Sequence, residues 1–335
     1  MTGVTLVMGS GGVGKTTVAA GLAALSARGG SRTLVITVDP ARRLADAMGV
    51  TLGNEPSPVP GPGSLHAAML DAASAWDDIA RRHADAATAR RLVANPYFRA
   101  VADRFPSGQS YAAGEQVLHH AESGAYDHIV VDTPPAEGGS AFLEAPRRIR
   151  TLVAGRALRV LTGPHLPGRR LVYSVTARPA LKIADSVLGG RLLEDVAEFL
   201  LDLSAIYPGL ARRSRLVESL YAGAAVVAVA TPDPGPIAEA RRIITERIGV
   251  ADPPGVVVLN RVLPAAWARA PAGSGPLGAN LTRWGSEAAR HEAMRLAFAA
   301  HTGVLPATIP WLPEPPSSPA ALADLVAASG MDPLS

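Results

Sequence analysis

The chain has 335 residues and no cysteine. Disulfides, thiolate zinc sites and thiol nucleophiles are thereby excluded. Lysine is nearly as scarce. Lys15 and Lys182 are the only two, so almost all the positive charge behind a net +3 is arginine. Aromatic residues make up only 4%. The arginine clusters at Arg147-Arg148-Arg150, Arg169-Arg170 and Arg212-Arg213-Arg215 have no interleaved aromatics of the kind single-strand binding uses. They read as solvated helix faces, and nucleic acid is not an expected partner. No apolar run approaches the ~20 residues of a membrane helix, so no transmembrane segment is expected. The first strand begins at Val4 and leaves no room for a secretory signal. A cytoplasmic protein is the expectation. A composition of 48% hydrophobic and 18% charged residues is that of a chain with a sizeable core.

What is present is concentrated near the start. Residues Gly9-Ser10-Gly11-Gly12-Val13-Gly14-Lys15-Thr16, followed by Thr17, match the phosphate-binding (Walker A) pattern G-x-x-x-x-G-K-[ST]. The apolar run Val4 to Met8 precedes it as a buried strand, and Val18 to Leu25 follows as a helix. Glycines let backbone N–H groups close on phosphate oxygens, and the helix N-terminus adds donors and partial positive charge. In this setting Lys15 reaches the β- and γ-phosphates, and the Thr16 hydroxyl serves Mg²⁺.

Strands are expected at 33–38, 65–70, 129–131, 224–230 and 256–259, with a last one approached within 304–313. Helical spacing runs through 73–93, 111–123, 237–248, 286–300 and 320–328, and through most of 180–221 with breaks at Gly189-Gly190 and Pro208-Gly209. Residues 50–64 and 264–278 read as Gly/Pro loops. Strands alternating with helices imply an α/β fold with a mostly parallel sheet covered on both faces. The expected organisation is a single P-loop domain over 1–335 with a helical subdomain at about 73–125 and 150–222. Ligands bind at the carboxyl ends of such strands, where the glycine loop, Asp39 and Asp132 all fall. Asp132 ends a buried strand, as a Mg²⁺-associated carboxylate does, or caps a turn. Asp39 orients or deprotonates a water, or caps a helix with Pro40 at its first position.

These residues resemble the ArsA-type ATPases, the group that includes arsenite-pump ATPases and ATPases that target tail-anchored membrane proteins. The resemblance covers nearly the whole chain. Gly11 to Thr17 matches the loop, and Val38 to Met48 (VDPARRLADAM) resembles switch I, whose aspartate, here Asp39, positions the hydrolytic water. Asp132-Thr133-Pro134-Pro135 resembles switch II, and Pro146 falls on the family's proline fourteen residues on. Val226 to Arg241 resembles the V-T-x-P-E segment. Val258-Leu259-Asn260-Arg261 resembles the V-N-Q/R strand, whose asparagine reads the adenine edge. Ile309-Pro310-Trp311-Leu312-Pro313 resembles the loop flanking the base. The resemblance implies ATP and ADP as ligands, Mg²⁺ as cofactor, and a dimer coupled to a protein client or to transport.

The departures are as informative. The family's loop reads G-K-G-G-V-G-K-T, and its first lysine crosses the dimer interface to the partner's nucleotide; here that position is Ser10. The family's T-G-H-T is Ala136-Glu137-Gly138-Gly139, without the histidine. Without cysteine there is neither a metalloid site nor, around Pro264 to Arg283, a structural zinc site at the dimer. The chain has six methionines, none between Arg150 and Asn280, so a Met-rich client groove is absent. Leucine-rich helices within Leu152 to Leu220 either face a client or form core. Three functions remain open: an ATPase working as a nucleotide-driven dimer; a weakly or non-catalytic ATP-binding subunit paired with a lysine-bearing paralogue; and a MinD- or ParA-like positioning protein. The last is disfavoured by a neutral to acidic C-terminal helix.

Overall fold

The fold is a computed structural model that describes residues 2–39, 41–61, 63–104, 106–134, 139–154, 192–247, 255–269 and 274–331. It divides into two compact units. One holds Met1–Asp71, Val117–Leu143 and Ser219–Ser335; the other holds Ala72–Gln116 and Glu144–Glu218.

The first unit is built on one sheet. Its strands are β1 (Gly3–Met8), β2 (Thr33–Thr37), β3 (Ser57–Pro58), β4 (Leu65–Met69), β5 (His128–Asp132), β6 (Ala225–Ala230), β7 (Val256–Val262) and β8 (Ala307–Pro310). The order is β3-β4-β2-β5-β1-β6-β7-β8. All pairings are parallel except β3 with β4. The central strands are mostly apolar because both faces are covered: β2 and β5 are buried at every residue. Among their buried polar residues, His128 bridges the Thr5 and Ser26 hydroxyls at 2.9 and 3.0 Å, and burial holds its pKa down.

Strand register sets three segments side by side at the carboxyl edge. Asp132, the last residue of β5, lies level with Val7 of β1 and Thr37 of β2. Helix α1 (Lys15–Arg28) packs under the sheet, with α2 (Arg43–Met48) beside it and α12 (Pro319–Ala328) across it. The unit also holds α10 (Pro234–Arg247) and α11 (Gly275–Thr302).

The second unit is helical. It contains α3 (Ala72–His83), α4 (Ala86–Ala94), α5 (Pro96–Arg104), α8 (Leu192–Leu203) and most of α9 (Tyr207–Ala222), while α6 (Pro106–Glu122) and α7 (Gly139–Ala154) belong to it in part. Trp76, Phe98, Tyr111, Ile149 and Phe199 are among its core residues. Buried in the same unit, Glu115 accepts from Arg82 and Arg213, each at 2.8 Å. Arg213 is therefore a buried partner, not part of a solvated face. Arg148 and Arg150 are paired with Glu144 and Glu218, and Arg169-Arg170 lie outside the described residues.

Several elements differ from the sequence reading. The helical stretch 73–93 is two helices, because the Asp85 carboxylate caps α4 through Ala87 and Thr88 N–H. The break expected at Pro208-Gly209 falls just before them, at residues 204–206 between α8 and α9. Pro208 and Gly209 lie in the first turn of α9, where proline is tolerated, and a Cβ on Gly209 would meet His83 at 2.4 Å. The break at Gly189-Gly190 lies outside the described residues. The supposed loop 264–278 holds a 3-10 turn (Ala265–Arg269) and the start of α11, which begins eleven residues before the expected 286. Glycine disguised this helix. Gly285 admits the Trp267 carbonyl, which a Cβ would meet at 2.8 Å. Trp267, Trp284 and Trp311 line an apolar cavity of about 370 Å³ there with Leu263 and Leu281. Among the described residues, no helix is long and apolar enough to cross a membrane.

The α1–α12 contact depends on Gly21. A Cβ there would stand 2.4 Å from Val326 Cγ2 and 2.8 Å from the Leu322 carbonyl oxygen. Gly21→Ala is expected to lower stability by roughly 1–3 kcal/mol despite its better helix propensity. Gly235→Ala, which meets no atom within 4 Å, should not. Thermal denaturation of the two variants checks this, since both share the unfolded-state effect of losing a glycine.

Candidate nucleotide site

The site forms where the carboxyl ends of β1, β2 and β5 meet the N-terminus of α1. The loop after β1 needs glycine for two separate reasons. Gly9 has φ 147°, and a Cβ on it would lie 2.1 Å from the Val229 carbonyl oxygen. Gly14 has φ 95°, and its Cβ would lie 2.2 Å from Asn260 Nδ2. Backbone conformation and close approach thus both exclude larger residues. Gly14 is also the N-cap of α1, with no side chain capping the helix and no acidic residue in its first turn. The positive end of the helix is left to an outside anion.

Asp132 is the pivot. Its carboxylate is 1% exposed. Oδ2 accepts from the Thr16 hydroxyl at 2.7 Å and the Thr37 hydroxyl at 3.0 Å, whereas Oδ1 is buried with no partner among the described residues. Burial pushes the carboxyl up to about 6, against the pull of both hydroxyls and of Lys15, and nearby Asp39 pushes the same way as burial. Lys15 Nζ donates to the Gly9 and Ser10 carbonyls at 2.9 Å each. Burial lowers its pKa, and Asp132 and Asp39 oppose that shift. Thr37 extends the network by accepting from Asp39 N–H at 3.2 Å. Asp39 in turn accepts from Ala41 N–H at 3.0 Å and Arg43 Nη1 at 2.9 Å. Helix α2 begins at Arg43, so Asp39 closes a turn and does not cap that helix. Pro40 is outside the described residues.

A cavity of about 560 Å³ opens over these groups. Gly11, Gly12, Gly14, Lys15, Thr16, Thr17, Asp39 and Asp132 all line it. Val13 does not. Its side chain is in the core, and its carbonyl accepts from Asn260 Nδ2 at 2.8 Å. Asn260, itself 7% exposed, stands behind the loop as a clamp, and its Oδ1 accepts from Arg261 N–H. Pro310, Leu312 and Pro313 are exposed and off this wall, which is closed instead by Pro315, Pro316 and Ser317.

Sequence reasoning missed Arg43, Asp46, Thr133 and Arg261 on the wall, and Thr37 beneath it. A signal existed for Arg43, which stands four residues after Asp39 at the start of a helical segment. Arg261 is adjacent to Asn260 and has φ 61°, in the left-handed region, which sequence does not announce. Of the second switch segment, Pro135 to Gly138 lie outside the described residues, and Pro146 sits within α7.

A strand–glycine loop–helix at the carboxyl edge of a mostly parallel sheet, with its lysine, hydroxyl and carboxylate together, is the arrangement of a P-loop nucleoside triphosphatase fold. The chain belongs to the ArsA-type family described as anion-transporting ATPases, which it matches over residues 2–271. It is 34% identical over 268 residues to an uncharacterized protein of Streptomyces coelicolor, covering 77% of this chain and 62% of that protein. It is 33% identical over 147 residues to a putative arsenical pump-driving ATPase of Halobacterium salinarum, covering 41% and 23%. It is 31% identical over 186 residues to the ATPase GET3 of Rhodotorula glutinis, covering 56% and 49%. The matched part spans less than two thirds of each of these relatives.

The geometry makes Asp132 costly when nothing answers its charge. A shift from 3.8 to about 6 corresponds to roughly 3 kcal/mol of destabilisation above pH 6. The sign follows from linkage. The folded state holds the proton more tightly, so this cost is absent below about pH 4 and grows as pH rises through 6. In EDTA and without nucleotide, Asp132→Asn is expected to raise the melting temperature at pH 7.5. The gain should shrink toward zero near pH 4. An asparagine variant destabilised equally at both pH values would contradict the assignment.

Proposed function

We propose that the chain is a Mg²⁺-dependent ATP hydrolase of the ArsA type, a nucleotide-driven dimeric switch coupled to a protein client or to transport. The observation that carries this reading is the Thr16–Asp132 pair. A hydroxyl and a buried carboxylate, one of whose oxygens has no partner among the described residues, stand in the same cavity as Lys15. That donor set is oxygen only, as Mg²⁺ prefers. Thr16 and Asp132 would hold the ion, with Asp132 acting directly or through a water. Bound there, Mg²⁺ would neutralise negative charge on the phosphates.

The protein's own groups do the rest. Gly11 to Thr17 surround the phosphates with backbone N–H groups, at the uncapped end of α1. Lys15 exchanges its two carbonyl partners for phosphate oxygens. Asp39, linked through Thr37 to Asp132, orients the attacking water. Asn260 keeps the loop in place from behind and has a remaining amide hydrogen for the adenine edge. Pro310, Leu312 and Pro313 flank the base on this reading. Contacts to the terminal phosphate would be lost after hydrolysis, and that loss drives the switch.

Ser10 favours a second reading, in which the chain is an ATP-binding subunit with little turnover alone, completed by a paralogue that carries the missing lysine. A hydroxyl cannot supply a cation to developing phosphate charge. Steady-state ATP hydrolysis with Mg²⁺ separates the two. Lys15→Ala should reduce turnover by roughly 100-fold or more, and unchanged ATP affinity and rate in that variant would overturn the phosphate-site reading. Ser10→Lys should raise turnover if the missing cation limits a homodimer. ATP binding without turnover in the unsubstituted chain would favour the paired subunit.

A further inference from the structure

Both oxygens of the Asp39 carboxylate are engaged. Oδ1 is held by Ala41 N–H, a local turn contact of the kind short acidic side chains make. Oδ2 is held by Arg43 Nη1 at 2.9 Å. A carboxylate so engaged has one of its best positions for a water already taken. The two partners differ in how firmly they hold. Ala41 N–H is fixed by the backbone. Arg43 is 65% exposed along its side chain, against 14% for Asp39, and it lines the cavity with Lys15 and Thr16. Its charge is felt at Lys15, where it opposes protonation. An exposed pair of this kind holds weakly. A polyphosphate offers a guanidinium more charge and a planar two-point match.

We propose that Arg43 senses the terminal phosphate of bound ATP: its guanidinium leaves Asp39 for that phosphate, supplies within the same chain positive charge that Ser10 cannot, and frees Asp39 Oδ2 for the attacking water. The proposal rests on the ATPase reading and deepens it. With ADP there is no terminal phosphate, Arg43 stays on Asp39, and the carboxylate stays masked. With ATP the masking ends only once the group to be attacked is in place. In the step itself, the water oxygen bonds to the terminal phosphorus as the bond to the bridging oxygen breaks. The electron pair leaves with ADP, and the water proton passes to Asp39 Oδ2 and then to the released phosphate. Arg42, the preceding residue, is exposed and does not line the cavity, so it serves as a control of equal charge.

The test is equilibrium binding of ADP and of the β,γ-imido analogue of ATP, with Mg²⁺, to the unsubstituted chain, Arg43→Ala, Arg43→Lys and Arg42→Ala. Arg43→Ala should weaken binding of the ATP analogue by roughly 10- to 100-fold. ADP binding should change by no more than about twofold. Arg43→Lys should recover part of the loss, and Arg42→Ala should leave both ligands unaffected. Equal weakening for both nucleotides, or none for either, overturns the proposal while leaving the ATPase reading intact. An unsubstituted chain that binds neither nucleotide overturns the ATPase reading and this proposal with it.

Discussion

A buried carboxylate, one of whose two oxygens has no hydrogen-bond donor among the described residues, organises the carboxyl edge of the sheet. Asp132 must leave water because it ends a strand flanked on both sides, level with Val7 and Thr37. Burial of a charge without a counter-ion is costly. Two threonine hydroxyls answer one oxygen; the other is left without a partner among the described residues. The rest of the site follows from that asymmetry. The lysine close enough to help is turned to the Gly9 and Ser10 carbonyls; in the proposed function a ligand bringing both a cation and phosphate answers this arrangement.

The same carboxylate ties three segments together. Thr16 belongs to α1, Thr37 to β2, and Asp39 follows β2 with its N–H on the Thr37 hydroxyl. A change at Asp132 therefore reaches the loop, the adjoining strand and the Asp39–Arg43 pair through hydrogen bonds of ordinary length. Asn260 performs a mechanical version of this task from the opposite side, where its amide fills the space that a Gly14 Cβ would occupy. Sites of this kind give up stability for pre-organisation.

Much of this was legible in the sequence. The glycine loop, Lys15, Thr16, Asp39 and Asp132 are each marked by type and by position at a strand end, and all line one cavity. The parallel sheet follows from alternating apolar runs and helical spacings. What escaped is tertiary. Thr37 is an ordinary strand threonine until the order of the sheet sets it beside Asp132. Pro315 and Pro316 on the cavity wall were not anticipated, because β8 ends at Pro310 and the chain runs on before reaching the cavity. The early start of α11 was hidden by its glycines, of which Gly285 serves close packing, and the burial of Arg213 by a glutamate almost a hundred residues away in sequence.

The decisive experiment is calorimetric titration of ATP into the unsubstituted chain, once with Mg²⁺ and once with EDTA. If Asp132 and Thr16 await a cation, binding saturates at one ATP per chain and is markedly tighter with Mg²⁺. Equal affinity in the two titrations would leave Asp132 a carboxylate at the end of a strand and rule out a cation at Asp132 and Thr16.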